Sequence, residues 1–235
     1  MLIDLPGDGE MRIVKRIRRR GAAVCVALLV LATTRGATAR AENPTSLLRC
    51  VQTRYGALRD LTAAFTQESR VASLGRARTR TGRLFFLAPG RMRWEYDGPE
   101  PQLIVADGKQ LWFHRPERRQ VVVQPMDAAF TRQTPLLFLL GRGDFAAEFT
   151  WEERELAPGA GGLVSVALRP RVEAPDLLRL VLEVVAGDCR LAGTIVEDAF
   201  GNVTHLVFSG ERADTLLDAG LFRFAPPKGT DVVRP

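Results

Sequence analysis

Few side chains in this 235-residue sequence could do chemistry. The two histidines are His114, which precedes Arg115-Pro116 in an expected hairpin loop, and His205, which falls mid-strand. Neither has a metal-ligand spacing to another His or Cys. The carboxylate pairs Glu152-Glu153 and Glu197-Asp198 are adjacent in sequence. In a strand, neighbours face opposite sides, so such a pair cannot share one substrate as acid and base, and both pairs read as solvated or turn-capping residues. A Gly-x-Ser-x-Gly elbow, a phosphate-cradling glycine loop and a His-Glu-x-x-His pattern are all missing. Enzyme is therefore the weaker class, and nothing in the pattern calls for a metal or a cofactor.

The three cysteines divide between two parts of the chain. Cys25 sits in an apolar run from Gly21 to Ala32, preceded by Arg12, Lys15, Arg16, Arg18, Arg19 and Arg20 and followed by Ala37-Thr38-Ala39. A basic start, a short apolar core and a small-x-small end read as a secretory signal over residues 1–39, cleaved after Ala39, with one domain over residues 40–235. Met11 would start a conventional signal by itself. The apolar run is shorter than the roughly 20 residues a membrane-spanning helix needs. Most of the apolar run follows Cys25 instead of preceding it, which argues against a lipid-anchoring cysteine. Residues 1–39 hold seven Lys/Arg and three Asp/Glu, a net +4 of the chain's +6. With that segment removed the basic excess nearly vanishes, and nucleic-acid binding loses its support. Cys50 and Cys189 remain as an even pair in an oxidising compartment, either bonded to each other or buried as separate thiols.

Beyond the signal, Leu47, Leu48, Val51, Tyr55 and Leu58 fall at helical spacing and predict one amphipathic helix over 45–58, with Pro-Thr-Ser at its start. The remainder reads as short strands: 63–70, 78–87, 91–96, 102–106, 110–114, 120–124, 148–155, 163–169, 177–185, 189–196 and 203–209. Asp107-Gly108 and Gly201-Asn202 are tight-turn signals. Strands this close leave no room for crossover helices, so the sheet should be an antiparallel meander. Pro135 followed by Leu136–Leu140 predicts a short helix apolar on every side, and Asp214–Ala219 a second helical turn. In Arg83–Leu87, Leu84 and Phe86 point one way and Phe85 and Leu87 the other. Strands apolar on both faces fit a curved sheet with a core on one side and a helix layer or a cavity on the other; a two-layer core without a cavity fits as well.

The ordered set Phe65-Thr66-Gln67, Gly82-Arg83-Leu84, Pro89 to Tyr96, Asp107 to Trp112, Gln120-Val121, Pro135-Leu136, Asp198 to Thr204 and Leu221 to Val232 resembles the periplasmic outer-membrane lipoprotein carrier family, LolA. The resemblance spans nearly all of residues 45–233. It implies a mostly β fold: an incomplete antiparallel β-barrel of about eleven strands around a hydrophobic cavity, closed by a short-helix lid. It also implies a monomeric carrier without catalytic residues, cofactor or metal. Such a carrier accepts acylated lipoproteins or another lipid cargo from an inner-membrane lipoprotein-releasing transporter and passes them to an outer-membrane receptor. By match to the family, Leu84, Phe86, Met92, Trp94 and Tyr96 form the cavity wall, and Leu136, Leu137, Phe138 and Leu140 the lid. One departure stands out: Ala88-Pro89 replaces the family's Arg-Pro, leaving either Arg83 or Arg91 as substitute for a lid-fastening arginine, or a lid that is simply weaker. That departure keeps open a carrier of another lipid, such as a polyene or glycolipid. A receptor or sensor on the same fold, and more distantly a secreted hydrolase, complete the alternatives.

Overall fold

The computed structural model describes residues 43–126, 144–151, 156–158 (backbone only), 162–173 and 175–234. The signal segment 1–39 and the expected lid residues Leu136, Leu137, Phe138 and Leu140 lie outside them.

Helix α1, Pro44–Ala57, comes first. Asn43 caps it, its side chain accepting from Thr45 N at 2.8 Å, and Pro44 occupies the first turn, where a missing N–H costs nothing. Leu47, Leu48, Val51 and Tyr55 are its buried stripe. The strands follow: β1 Asp60–Val71, β2 Arg76–Leu87, β3 Arg91–Tyr96, β4 Gln102–Ala106, β5 Gln110–Arg115, β6 Gln120–Pro125, β7 Phe149–Thr150, β8 Leu156–Pro158, β9 Leu163–Pro170, β10 Arg179–Val185, β11 Leu191–Glu197, β12 Val203–Ala213 and β13 Asp231–Val233. A four-residue helix, α2 (Phe145–Glu148), precedes β7.

These thirteen strands join in the order β13-β6-β5-β4-β3-β2-β1-β12-β11-β10-β9-β7, with β8 also on β9. Among the described residues the end strands β13 and β7 are not paired with each other, and the sheet is open. One pair breaks the antiparallel meander: β13 runs parallel to β6. The chain reaches β13 only after crossing the sheet, and a long crossing can return in either direction, unlike a tight hairpin. The second helical turn also falls elsewhere. Asp214 and Leu216 take left-handed backbone (φ 53° and 64°), and a 3-10 turn follows at Ala219–Phe222. Of the expected strand over 148–155, Glu148 ends α2 and Phe149–Thr150 is strand, while residues 152–155 lie outside the described residues.

Both faces of the sheet are covered, which explains strands that are apolar on both sides. On the inner face, the stripe of α1 joins Phe65, Leu84, Phe86, Met92, Trp94 and residues of β9 to β12 in one core cluster. On the outer face, the segment after β12 crosses β3 to β6. Phe222 is buried there, Phe224 packs on Trp112 and His114 at 5.6 and 5.4 Å, and Val105, Val121 and Val123 are buried. Arg93 Nη1 ties the crossing segment down by donating to Leu221 O at 3.2 Å. The helix-or-cavity choice posed by the sequence thus meets a third answer, a strap of C-terminal chain on the outer face.

Candidate functional site: the inner face of the sheet

The inner face can be followed strand by strand from the pairing register. Leu84, Trp94, Ile104, Phe113 and Val122 lie directly opposite one another across β2 to β6. A second row runs Phe86, Met92, Ala106 and Leu111. On the other wing, Leu206, Thr194, Leu182 and Val166 are in register across β12 to β9. Directly opposed residues share a face. The result is an almost unbroken apolar surface made of side chains from separate strands.

Its exposure is uneven. Leu84, Phe86, Met92 and Trp94 are 2–4% exposed and packed in the core cluster with the α1 stripe. Tyr96, Ile104, Phe113, Val196 and Leu206 are half-buried at the margin of that cluster. Ligand reaches the first group only if the packing above it opens, whereas the second group already meets solvent. Ile104, Phe113 and Leu206 were not singled out from the sequence. The signal for the first two was there, since Leu103-Ile104-Val105 is apolar on both faces and Trp112-Phe113 alternates with it.

Aromatic rings occupy the centre. Phe65 lies 4.6 Å from Trp94 and 5.1 Å from Tyr96, between centroids, the latter edge-on. Gly82 makes room for this: a Cβ there would collide with Glu95 O and come within 2.6 Å of the Phe65 ring. Beyond Tyr96 the surface turns polar. The Tyr96 hydroxyl donates to Gln67 Oε1 at 2.7 Å, and the Arg80 guanidinium stacks 3.9 Å from the Tyr96 ring centre while donating to Gln102 Oε1 at 2.8 Å. Burial pushes the Tyr96 phenol up to about 12, with the Arg80 charge opposing, and the same partial burial lowers the Arg80 pKa. Arg78, ion-paired to Glu100 at 2.8 Å, closes this end. The inner face is therefore greasy along most of its length and cationic at one rim.

Helix α1 is fastened along one side. Cys50 and Cys189 form a disulfide with Cα atoms 5.8 Å apart. Arg54 and the Tyr55 hydroxyl both donate to Glu211, at 2.8 and 2.9 Å, and Leu191 N donates to the Tyr55 oxygen at 2.9 Å. On its other side a cleft of about 460 Å³ separates α1 from α2 and Trp151, lined by Leu48, Arg49, Gln52, Phe145 and Ala146 among others. Neither Arg83 nor Arg91 points to the inner face. Arg83 is paired with Glu95 Oε2 at 2.9 Å on the outer face, and Arg91 alternates with the buried Met92. The two histidines are far apart in role: His205 Nε2 lies 2.9 Å from Glu183 Oε2, and His114 packs on the C-terminal strap, where burial lowers its pKa. Among the described residues no three His, Cys, Asp or Glu side chains gather in a metal-binding group, and no helix is long and apolar enough to cross a membrane.

An open, mostly β half-barrel whose inner face is a continuous apolar surface beneath a helix defines a class of protein suited to enclosing hydrocarbon. Within that class the chain belongs to the family described as outer membrane lipoprotein carrier protein LolA, which it matches over residues 57–225. It is 37% identical over 175 residues to an outer-membrane lipoprotein carrier protein of Methylococcus capsulatus, covering 74% of this chain and 81% of that one. With the protein of the same name from Dechloromonas aromatica it shares 31% identity over 224 residues, 95% of this chain and 99% of that one. A crystal structure of an uncharacterized conserved protein from Thermus thermophilus has the same fold, with a TM-score of 0.52 at 19% identity, over 81% of this chain and 98% of that one.

Proposed function

We propose that this protein is a periplasmic carrier that takes up the acyl chains of lipoproteins released from the inner membrane and delivers them to a receptor at the outer membrane. The observation that carries this reading is the apolar row Leu84, Trp94, Ile104, Phe113 and Val122, which passes from fully buried to half-exposed without a polar interruption. A long acyl chain costs on the order of 10 kcal/mol to leave in water, at about 0.8 kcal/mol per methylene, so an aqueous journey requires such a surface. Leu84, Phe86, Met92, Trp94 and Tyr96 are the wall of the cavity that opens when cargo enters. Delivery requires the cargo to leave again. A wall that closes on itself favours this, because repacking the core recovers part of the apolar contact that the departing chain gives up.

The test uses the protein purified from periplasm without detergent. An apolar fluorescent dye should bind it and be displaced by a synthetic triacylated peptide but not by the same peptide without its acyl chains. Extraction and mass spectrometry should recover acylated material from the protein as isolated. Failure of the dye to bind, or displacement by the unacylated peptide alone, would sink the reading.

A further inference from the structure

The apolar rows of the inner face end in arginine. On β5, Arg115 lies two residues beyond Phe113, so alternation puts both side chains on one face, about 7 Å apart along the strand. Beside it, the row that follows Leu84, Trp94 and Ile104 reads Gly82, Tyr96 and Gln102. A cleft of about 210 Å³ opens at this margin, lined by Arg78, Glu100, Gln102, Arg115, Glu117 and Arg118 among others. Its arginines differ in what holds them. Arg78 is ion-paired to Glu100 at 2.8 Å, and Arg80 behind it donates to Gln102 Oε1 and Glu100 O while stacking on Tyr96. Arg115 and Arg118, by contrast, make no side-chain hydrogen bond or close ion pair among the described residues. Glu117 stands between them on the exposed turn Pro116–Arg118, and Glu100 is already engaged, so four guanidiniums face two carboxylates around the cleft. A guanidinium offers a planar fork of donors that matches the oxygens of a phosphate or carboxylate. An acyl chain lying on the half-buried Ile104 and Phe113 brings a headgroup at its end within one two-residue step of that fork.

We infer that Arg115 and Arg118 hold the anionic headgroup of a lipid whose acyl chain lies on the inner face, so that the protein takes phosphate-bearing lipids as cargo besides acylated polypeptides. The inference rests on the carrier reading, which supplies the surface for the chain, and adds a cargo class to it. The acyl esters and amide of a lipoprotein carry no charge for these arginines to meet.

Displacement of an apolar dye by dodecyl phosphate and by dodecanol, each below its micellar concentration, tests it. The chains are the same, so with the headgroup left in water the two would bind alike. Wild-type protein should prefer dodecyl phosphate by at least about fivefold at low ionic strength, the worth of a partly screened, charge-assisted hydrogen bond. Arg115→Gln/Arg118→Gln should bring the preference within about twofold while binding dodecanol as wild type does. Should that variant not fold, the wild-type preference decides by its salt dependence: it shrinks as ionic strength is raised, and a preference indifferent to salt overturns the inference. Equal affinity of wild type for the two ligands, or a preference that survives in the folded variant, overturns it as well, and leaves the carrier reading standing if the triacylated peptide still displaces the dye. Inorganic phosphate equimolar with dodecyl phosphate should not compete, since a free anion brings no chain to the apolar row; competition would mark a site for free phosphate and overturn the lipid assignment. Failure of both ligands and of the triacylated peptide to displace the dye overturns the carrier reading and this inference with it.

Discussion

Asp60 is a carboxylate with no solvent-exposed surface, covered yet shallow, lying where β1 begins. Burial alone would raise its pKa. Hydrogen bonds outweigh that: Thr215 N and Oγ1 donate to Oδ1 at 2.6 and 2.9 Å and Leu216 N to Oδ2 at 2.9 Å, and they hold the acid below its ordinary range. These bonds fix the left-handed turn at Asp214–Leu216 that sends the chain from β12 onto the outer face. A group whose pKa is lower in the folded state stabilises the fold above its unfolded pKa, near 4 for Asp, and that contribution is lost as pH falls through the folded value. Urea unfolding of wild type should therefore lose stability below about pH 4. Asp60→Asn should cost about 1–3 kcal/mol at pH 7 and show a shallower acid decline. Some decline remains because Asp107 and Asp198, each receiving backbone and side-chain hydrogen bonds in its turn, are lowered as well. An unchanged acid profile in the variant would mean that Asp60 is not held as an anion.

Among the elements, α1 is the one whose attachment can be separated from its sequence. The bond between Cys50 and Cys189 closes a loop of 139 residues, and in the chain-entropy account such a link is worth about 2–5 kcal/mol. Thermal unfolding of the double variant Cys50→Ala/Cys189→Ala should accordingly be well below wild type, with the far-ultraviolet spectrum still that of a folded sheet. Mobility on non-reducing electrophoresis should fall on reduction; two free thiols in the unfolded oxidised protein would contradict the bond. From sequence, the pair and its compartment were readable but the bond was not, because pairing depends on how close two distant Cα atoms come. The same division runs through the sheet. Short strands with period-two alternation, such as β3, are readable to the residue, since local pattern decides them. The parallel β13 and the turn at Asp214 are not, because tertiary partners decide them: β6 for β13 and the buried Asp60 for the turn. Within the candidate site, Met92, Trp94 and Tyr96 could be assigned to one face by alternation with Arg91, Arg93 and Glu95. Their half-exposed continuation through Ile104 and Phe113 depends on register across three strands, which no single segment encodes.

At the scale of the whole molecule, the inner face is graded, and the gradient separates residues packed into the core of the cargo-free protein from residues that already meet solvent. Met92 is 4% exposed within a cluster that includes the α1 stripe, so a carboxylate at that position must either stay ionised among apolar atoms or take up a proton. Met92→Glu should cost about 3–5 kcal/mol of stability and leave little folded protein to assay. Phe113 stands in the adjoining register row, two strands from Trp94, and is only half-buried, so a Glu side chain there can turn its carboxylate to water. Phe113→Glu should melt within a few degrees of wild type, yet it places a charge on the path between solvent and the buried wall. A triacylated peptide should displace the apolar dye from this variant at least about tenfold more weakly, because an acyl chain crossing that position must either strip the carboxylate of water or forgo its own contact. Phe113→Leu should restore binding, since the surface needs to be apolar there and not aromatic. If Phe113→Glu binds the peptide as wild type does, cargo does not cross the half-exposed wing formed by β4 to β6, and entry must be sought at the cleft between α1 and α2 instead.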